Sequence, residues 1–153
     1  MNDYEERVTG VLNRGFQGHI RYMLQLPENV RSIRVQLTFD KREPEWDPEQ
    51  LRRECKEALL TNMPEEMITE EVLDRFVKFP KGEINMSLAY QHAVLGTAHR
   101  NELVKEVKIC AAEASEGFLP TNFCGGLLEI TLHCLNIVND GTNYELIVEG
   151  SAQ

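Results

Sequence analysis

Between Ser32 and Asp40 the chain alternates with period two. Ile33, Val35, Leu37 and Phe39 share one face, and Arg34, Gln36, Thr38 and Asp40 share the other. Successive side chains of a strand point to opposite faces, so this pattern belongs to a half-buried strand and not to a helix. The alternation recurs along the chain. His19 to Leu26 groups Ile20, Tyr22, Leu24 and Leu26 ahead of Pro27-Glu28-Asn29, which predicts a turn that reverses the chain. Ile84, Met86, Leu88 and Tyr90 follow Gly82, and Val107 with Ile109 marks another strand. Leu128, Ile130, Leu132 and Cys134 form a longer one, and Tyr144, Leu146 and Val148 the last. A weaker strand falls within Arg7 to Asn13, and Asn139-Asp140-Gly141 predicts a hairpin between the final two. Short strands separated by turn signals imply an all-β protein: an antiparallel β-sandwich, jelly-roll-like, of about eight strands.

One stretch departs from period two. Asp47-Pro48-Glu49 is a helix start, with a capping carboxylate, a proline in the first turn and an acid at the positive end of the helix dipole. Leu51, Cys55, Ala58 and Leu59 then share a face to about Asn62. Beyond Pro64, Thr69-Glu70-Glu71 opens a second helix with Val72, Leu73, Phe76 and Val77 as its stripe, ending before Pro80-Lys81-Gly82. Residues 47–79 thus read as a two-helix insertion within a single domain, 1–153, and the expectation is that it covers a sheet face or edge.

The 153 residues suffice for one domain with a real core. Sixteen Lys and Arg against 25 Asp and Glu give a net charge of −9. That sign repels phosphate backbones, so nucleic acid is not expected as a partner. The acidity concentrates between Glu43 and Arg75, where eleven acids face four bases. No apolar run approaches the roughly 20 residues of a spanning helix, and Met1 to Glu6 lacks the features of a signal peptide, so no membrane partner and a cytoplasmic location are expected. Cys55, Cys110, Cys124 and Cys134 show no two-residue spacing, and four free, mostly buried thiols are the expectation.

Three stretches carry a family likeness. Tyr22 to Val30 with Ile33 to Asp40, then Gly96-Thr-Ala-His-Arg100, then Ala114-Ser-Glu-Gly-Phe-Leu-Pro120 resemble, in order and spacing, the N-terminal sandwich of CehA/McbA-type PHP metallohydrolases. The resemblance implies an accessory β-sandwich without the catalytic barrel, since that family places its barrel after the point where this chain stops. The helical segment is not part of the family pattern.

No set of residues reads as catalytic. Thr131-Leu-His-Cys-Leu resembles the first metal motif of PHP enzymes, but Leu135 stands where the second histidine would be, and the residues fit an alternating strand. His19, His92, His99 and His133 are widely spaced, so no metal and no other cofactor is expected. Cys124-Gly125-Gly126 lacks the helix that phosphate cradling needs. Gly96, His99 and Arg100 form the best candidate for polar binding, either tying their loop to the sandwich or meeting a partner or an anion. Leu51, Leu59, Val72 and Phe76 are the candidate interaction surface.

These readings favour a non-catalytic interaction module that binds a protein partner or self-associates as a dimer through its helical stripes. One alternative is a small-ligand or carbohydrate-binding sandwich, for which one Trp (Trp46), six Phe and four Tyr, mostly in core phase, are few. A remnant of a PHP-type hydrolase is the other.

Overall fold

The computed structural model describes residues 4–153. Its strands are β1 (Tyr4–Leu12), β2 (Gly18–Leu26), β3 (Ser32–Phe39), β4 (Glu83–Tyr90), β5 (Ala93–Ala98), β6 (Val104–Cys110), β7 (Gly126–Asn136) and β8 (Thr142–Ser151). They form two four-stranded antiparallel sheets in the orders β1-β8-β3-β6 and β2-β7-β4-β5. The pairs β1·β8, β2·β7, β3·β6 and β4·β5 are nested, as if one long hairpin had been rolled over on itself. This is the jelly roll, and it bears out the expected all-β sandwich.

The alternating residues predicted to face inward do so. Val35, Leu37, Ile84, Met86, Ile130, Leu132 and Leu146 are shielded from solvent in one continuous core between the sheets. Tyr22 of one sheet and Tyr144 of the other meet hydroxyl to hydroxyl at 2.6 Å, so the polar ends of two core side chains satisfy each other.

Two connections differ from expectation. Asn139-Asp140-Gly141 does not close a hairpin, because β7 and β8 lie in opposite sheets and the segment is a crossover. The Asn139 side chain is committed elsewhere: its amide donates to Lys41 O (2.9 Å) and Glu43 O (2.7 Å), and its Oδ1 accepts from Glu45 N (2.7 Å). The tight hairpin is instead Tyr90-Gln91-His92-Ala93, whose two central residues both have positive φ (49° and 65°) and whose ends pair.

The insertion contains α1 (Pro48–Leu60), a 3₁₀ turn at Glu65–Met67 and α2 (Glu70–Phe76). Asp47 caps α1 by accepting from Glu49 N and Gln50 N at 3.0 Å, and Thr69 caps α2 by accepting from Val72 N. The stripes do not cover a sheet. Cys55, Leu59 and Leu73, with Leu51, Met63, Ile68, Val72 and Val77 around them, bury against one another in a small cluster separate from the sandwich core. The helices are therefore an appendage with their own core. It is held to the sandwich through Asn139 and through Arg14, which stacks on Trp46 and pairs with Glu54.

Candidate functional site

Of the four helical residues expected at an interaction surface, Leu59 is only 4% exposed and belongs to the interior of the appendage. Leu51 and Val72 are half-buried in the same cluster. Phe76 is the one that reaches solvent (38% exposed). It meets Phe79 (70% exposed) edge to face, with ring centroids 5.5 Å apart. Phe79 escaped the sequence reading because it lies past the helical stripe. Ion pairs brace the two helices, with Arg52 engaging both Glu70 and Asp74 and Lys56 approaching Glu65.

Gly96, His99 and Arg100 each contact other parts of the sandwich. Gly96 lies inside β5 rather than in a loop, and it bridges to Phe118. A Cβ there would overlap Gly117 O and come within 2.8 Å of the Phe118 Cα, so the close backbone approach requires glycine. Arg100 donates to Glu116 O (3.2 Å), and His99 Nε2 lies 2.9 Å from Glu83. Two of the stretches that carry the family likeness, 96–100 and 114–120, are thus packed on each other. Glu83 also accepts from Asn85 Nδ2 (2.8 Å), while the buried Asn85 Oδ1 has no partner among the described residues.

The outer face of the β2-β7-β4-β5 sheet brings together residues that the sequence keeps apart. Register sets His19 opposite His133, and Arg21 opposite Thr131, which in turn lies opposite Ser87. The His19 and His133 Nδ1 atoms are 2.9 Å apart, and His133 Nε2 is 2.8 Å from Ser87 Oγ. Burial, then the neighbouring His19, lowers the His133 pKa from its ordinary value. These residues line a shallow basin of about 700 Å³, whose rim includes His92 with Nδ1 3.5 Å from the carboxylate of Glu129.

A hydroxyl on an imidazole that is itself oriented by a third group has the form of a nucleophile relay. β7 and β4 are each paired on both sides, so their N–H groups largely bond within the ladders. Among the described residues no three His, Cys, Asp or Glu side chains converge on a point where a metal ion would sit. The same residues run to no helix long and apolar enough to cross a membrane.

His19 and His133 lie 114 residues apart in the chain and Ser87 and His133 lie 46 apart, so strand order alone brings the three together. No curated protein matches the chain. Over residues 2–152, which span both sheets and the helical appendage, the chain matches the family described as "Family of unknown function (DUF6669)", and it belongs to that family.

Proposed function

We propose that the protein is a non-catalytic interaction module that docks a protein partner through its helical appendage. The observation that carries this reading is the exposed, edge-to-face pair Phe76–Phe79 on an element where Cys55, Leu59, Leu73, Leu51, Val72 and Val77 already bury against one another. Two aromatic rings held together in water are an anchor without a pocket, and aromatic anchors carry much of the affinity at protein interfaces. The eleven acids of residues 43–75 give the partner its chemistry: a surface rich in Lys and Arg, whose approach the acidic field accelerates. Asn139 and Arg14 fix the appendage in orientation, so the jelly roll serves as scaffold.

Self-association is the weaker version of this proposal, because Leu59, Cys55 and Leu73 are enclosed within one chain and two acidic surfaces repel. The test is cross-linking in native extract followed by reconstitution from purified proteins. A partner retained by the wild type, weakened at least tenfold by the double variant Phe76→Ser, Phe79→Ser, and weakened by added salt supports the proposal. Reconstituted binding that is indifferent to both changes refutes it, and dimerisation of the purified chain that is lost in the double variant replaces it with self-association.

A further inference from the structure

The basin on the outer face of the β2-β7-β4-β5 sheet carries chemistry that the docking proposal does not use. In a protein with nine more acids than bases, its lining has one arginine and three histidines against a single carboxylate, Glu129. That carboxylate already faces His92. Arg7, Arg14, Arg34, Arg42, Arg52 and Arg75 each pair with a carboxylate, whereas Arg21, like Arg31, Arg53 and Arg100, has no such partner among the described residues, and of these four Arg21 alone lines the basin. A second hollow of about 560 Å³, beside Arg34 and Lys108, lacks this property, because Glu106 and Glu149 neutralise its guanidinium.

We infer that this basin is a binding site for a phosphate group, free or carried on a small organic molecule, held by Arg21 and the Ser87 and Thr131 hydroxyls, with the His19–His133 pair turning the Ser87 hydroxyl. Register fixes the layout. Arg21, Thr131 and Ser87 stand in one row across three adjacent strands, about 4.8 Å from strand to strand. Guanidinium and hydroxyl donors therefore flank a common space above Thr131. The donors arrive from separate strands, and the three oxygens of a tetrahedral phosphate can meet them from different directions where the planar carboxylate has two.

The imidazole pair sets the polarity of this site. One proton lies between the two Nδ1 atoms, and it can belong to either ring. When His19 Nδ1 donates, His133 Nδ1 accepts, His133 Nε2–H donates to Ser87 Oγ, and the Ser87 hydroxyl proton is free to point at the ligand. When His133 Nδ1 donates instead, Ser87 donates to His133 Nε2 and presents only lone pairs to the basin. An anion selects the first arrangement, so its arrival should be legible in the tautomers of both rings.

The experiment follows the histidine ring signals of the full chain by NMR at neutral pH while inorganic phosphate or phenyl phosphate is added, with chloride and acetate at matched ionic strength. Saturable shifts confined to His19 and His133, with a dissociation constant of about a millimolar or tighter, are expected for the phosphates. Arg21→Ala should weaken binding at least tenfold and Ser87→Ala severalfold. Arg53→Ala, an exposed arginine on α1, should leave it unchanged. Linear shifts, equal responses to acetate or chloride, or indifference to Arg21→Ala would each overturn the inference. Equal saturation by phosphate and phenyl phosphate supports it and places recognition on the phosphate group alone. Binding by phenyl phosphate only also supports it, with the organic carrier contributing.

Discussion

Tyr22 and Tyr144 join the two sheets through hydroxyls 2.6 Å apart, one from each side of the core. Either residue changed to Phe leaves the other hydroxyl without its partner, and the expected loss is about 1–3 kcal/mol. Burial, and then the bond to Tyr22, raises the Tyr144 pKa well above its ordinary 10.0. An acid whose folded pKa is raised stabilises the fold fully below the unfolded value, and this contribution is lost as pH climbs above about 10. Urea midpoints of wild type and Tyr144→Phe across that range should show a steeper alkaline decline in the wild type.

Lys105 enters β6 pointing inward, only 1% exposed, with its ammonium donating to Glu102 O (2.7 Å) and 5.2 Å from the Phe39 ring centroid. Burial lowers its pKa from 10.5 to about 8, against the smaller opposing influence of Glu102 and Glu83. Between those values the unfolded chain holds a proton that the folded chain has shed, so this residue makes stability rise with pH. Wild type should gain stability between about pH 8 and pH 9.5. Lys105→Met should lose that gain and be more stable at neutral pH by about 1 kcal/mol or more, the cost of an enclosed charge having been removed.

Gly96→Ala places a methyl group against Gly117 O and Phe118. Overlap with backbone cannot be relieved by a rotamer change, and a loss of about 2–4 kcal/mol in urea denaturation is expected.

Asn139→Ala removes three hydrogen bonds that hold residues 41–45 to the sandwich. The global loss should be about 2–4 kcal/mol. Limited proteolysis should cut first near the start of the helical appendage, leaving the strands intact.

The thiols divide by burial. Cys124 is exposed, Cys110 half-buried, and Cys55 and Cys134 are enclosed, with burial pushing both of the latter pKa values up. Native labelling should modify Cys124 first and Cys110 next, with Cys55 and Cys134 reacting only on unfolding. Comparable early rates at Cys124 and Cys134 would contradict the packing.

Seven of the eight strands were legible because each alternates over enough residues to declare a face. β5 was not. Its small residues Ala93, Gly96 and Ala98 give no apolar phase, and a register shift between Leu88 and Ala89 breaks the alternation where β4 meets it. The misread hairpin at Asn139-Asp140-Gly141 has a related cause. Residues that favour tight turns were present, but the Asn139 and Asp140 side chains bond to residues 41–45 and to Arg14 N, distant neighbours that no local pattern reveals. The stripes of α1 and α2 were read correctly as apolar, while their destination, each other, depended on the path of the chain. The His19–His133–Ser87 contacts depended on strand order in the same way.

The nesting of the strand pairs gives the position of α1 and α2 a consequence in chain entropy. Both lie inside the loop closed when β3 pairs with β6, which runs over residues 40–103. Closure entropy grows only with the logarithm of loop length, so deleting residues 47–79 would roughly halve this loop and recover only about 0.6 kcal/mol. Lengthening it by as much again would cost a similar amount. The scaffold is therefore nearly indifferent to how many residues hang at this point, and this architecture can resize or exchange what it carries there without disturbing the pairing around it.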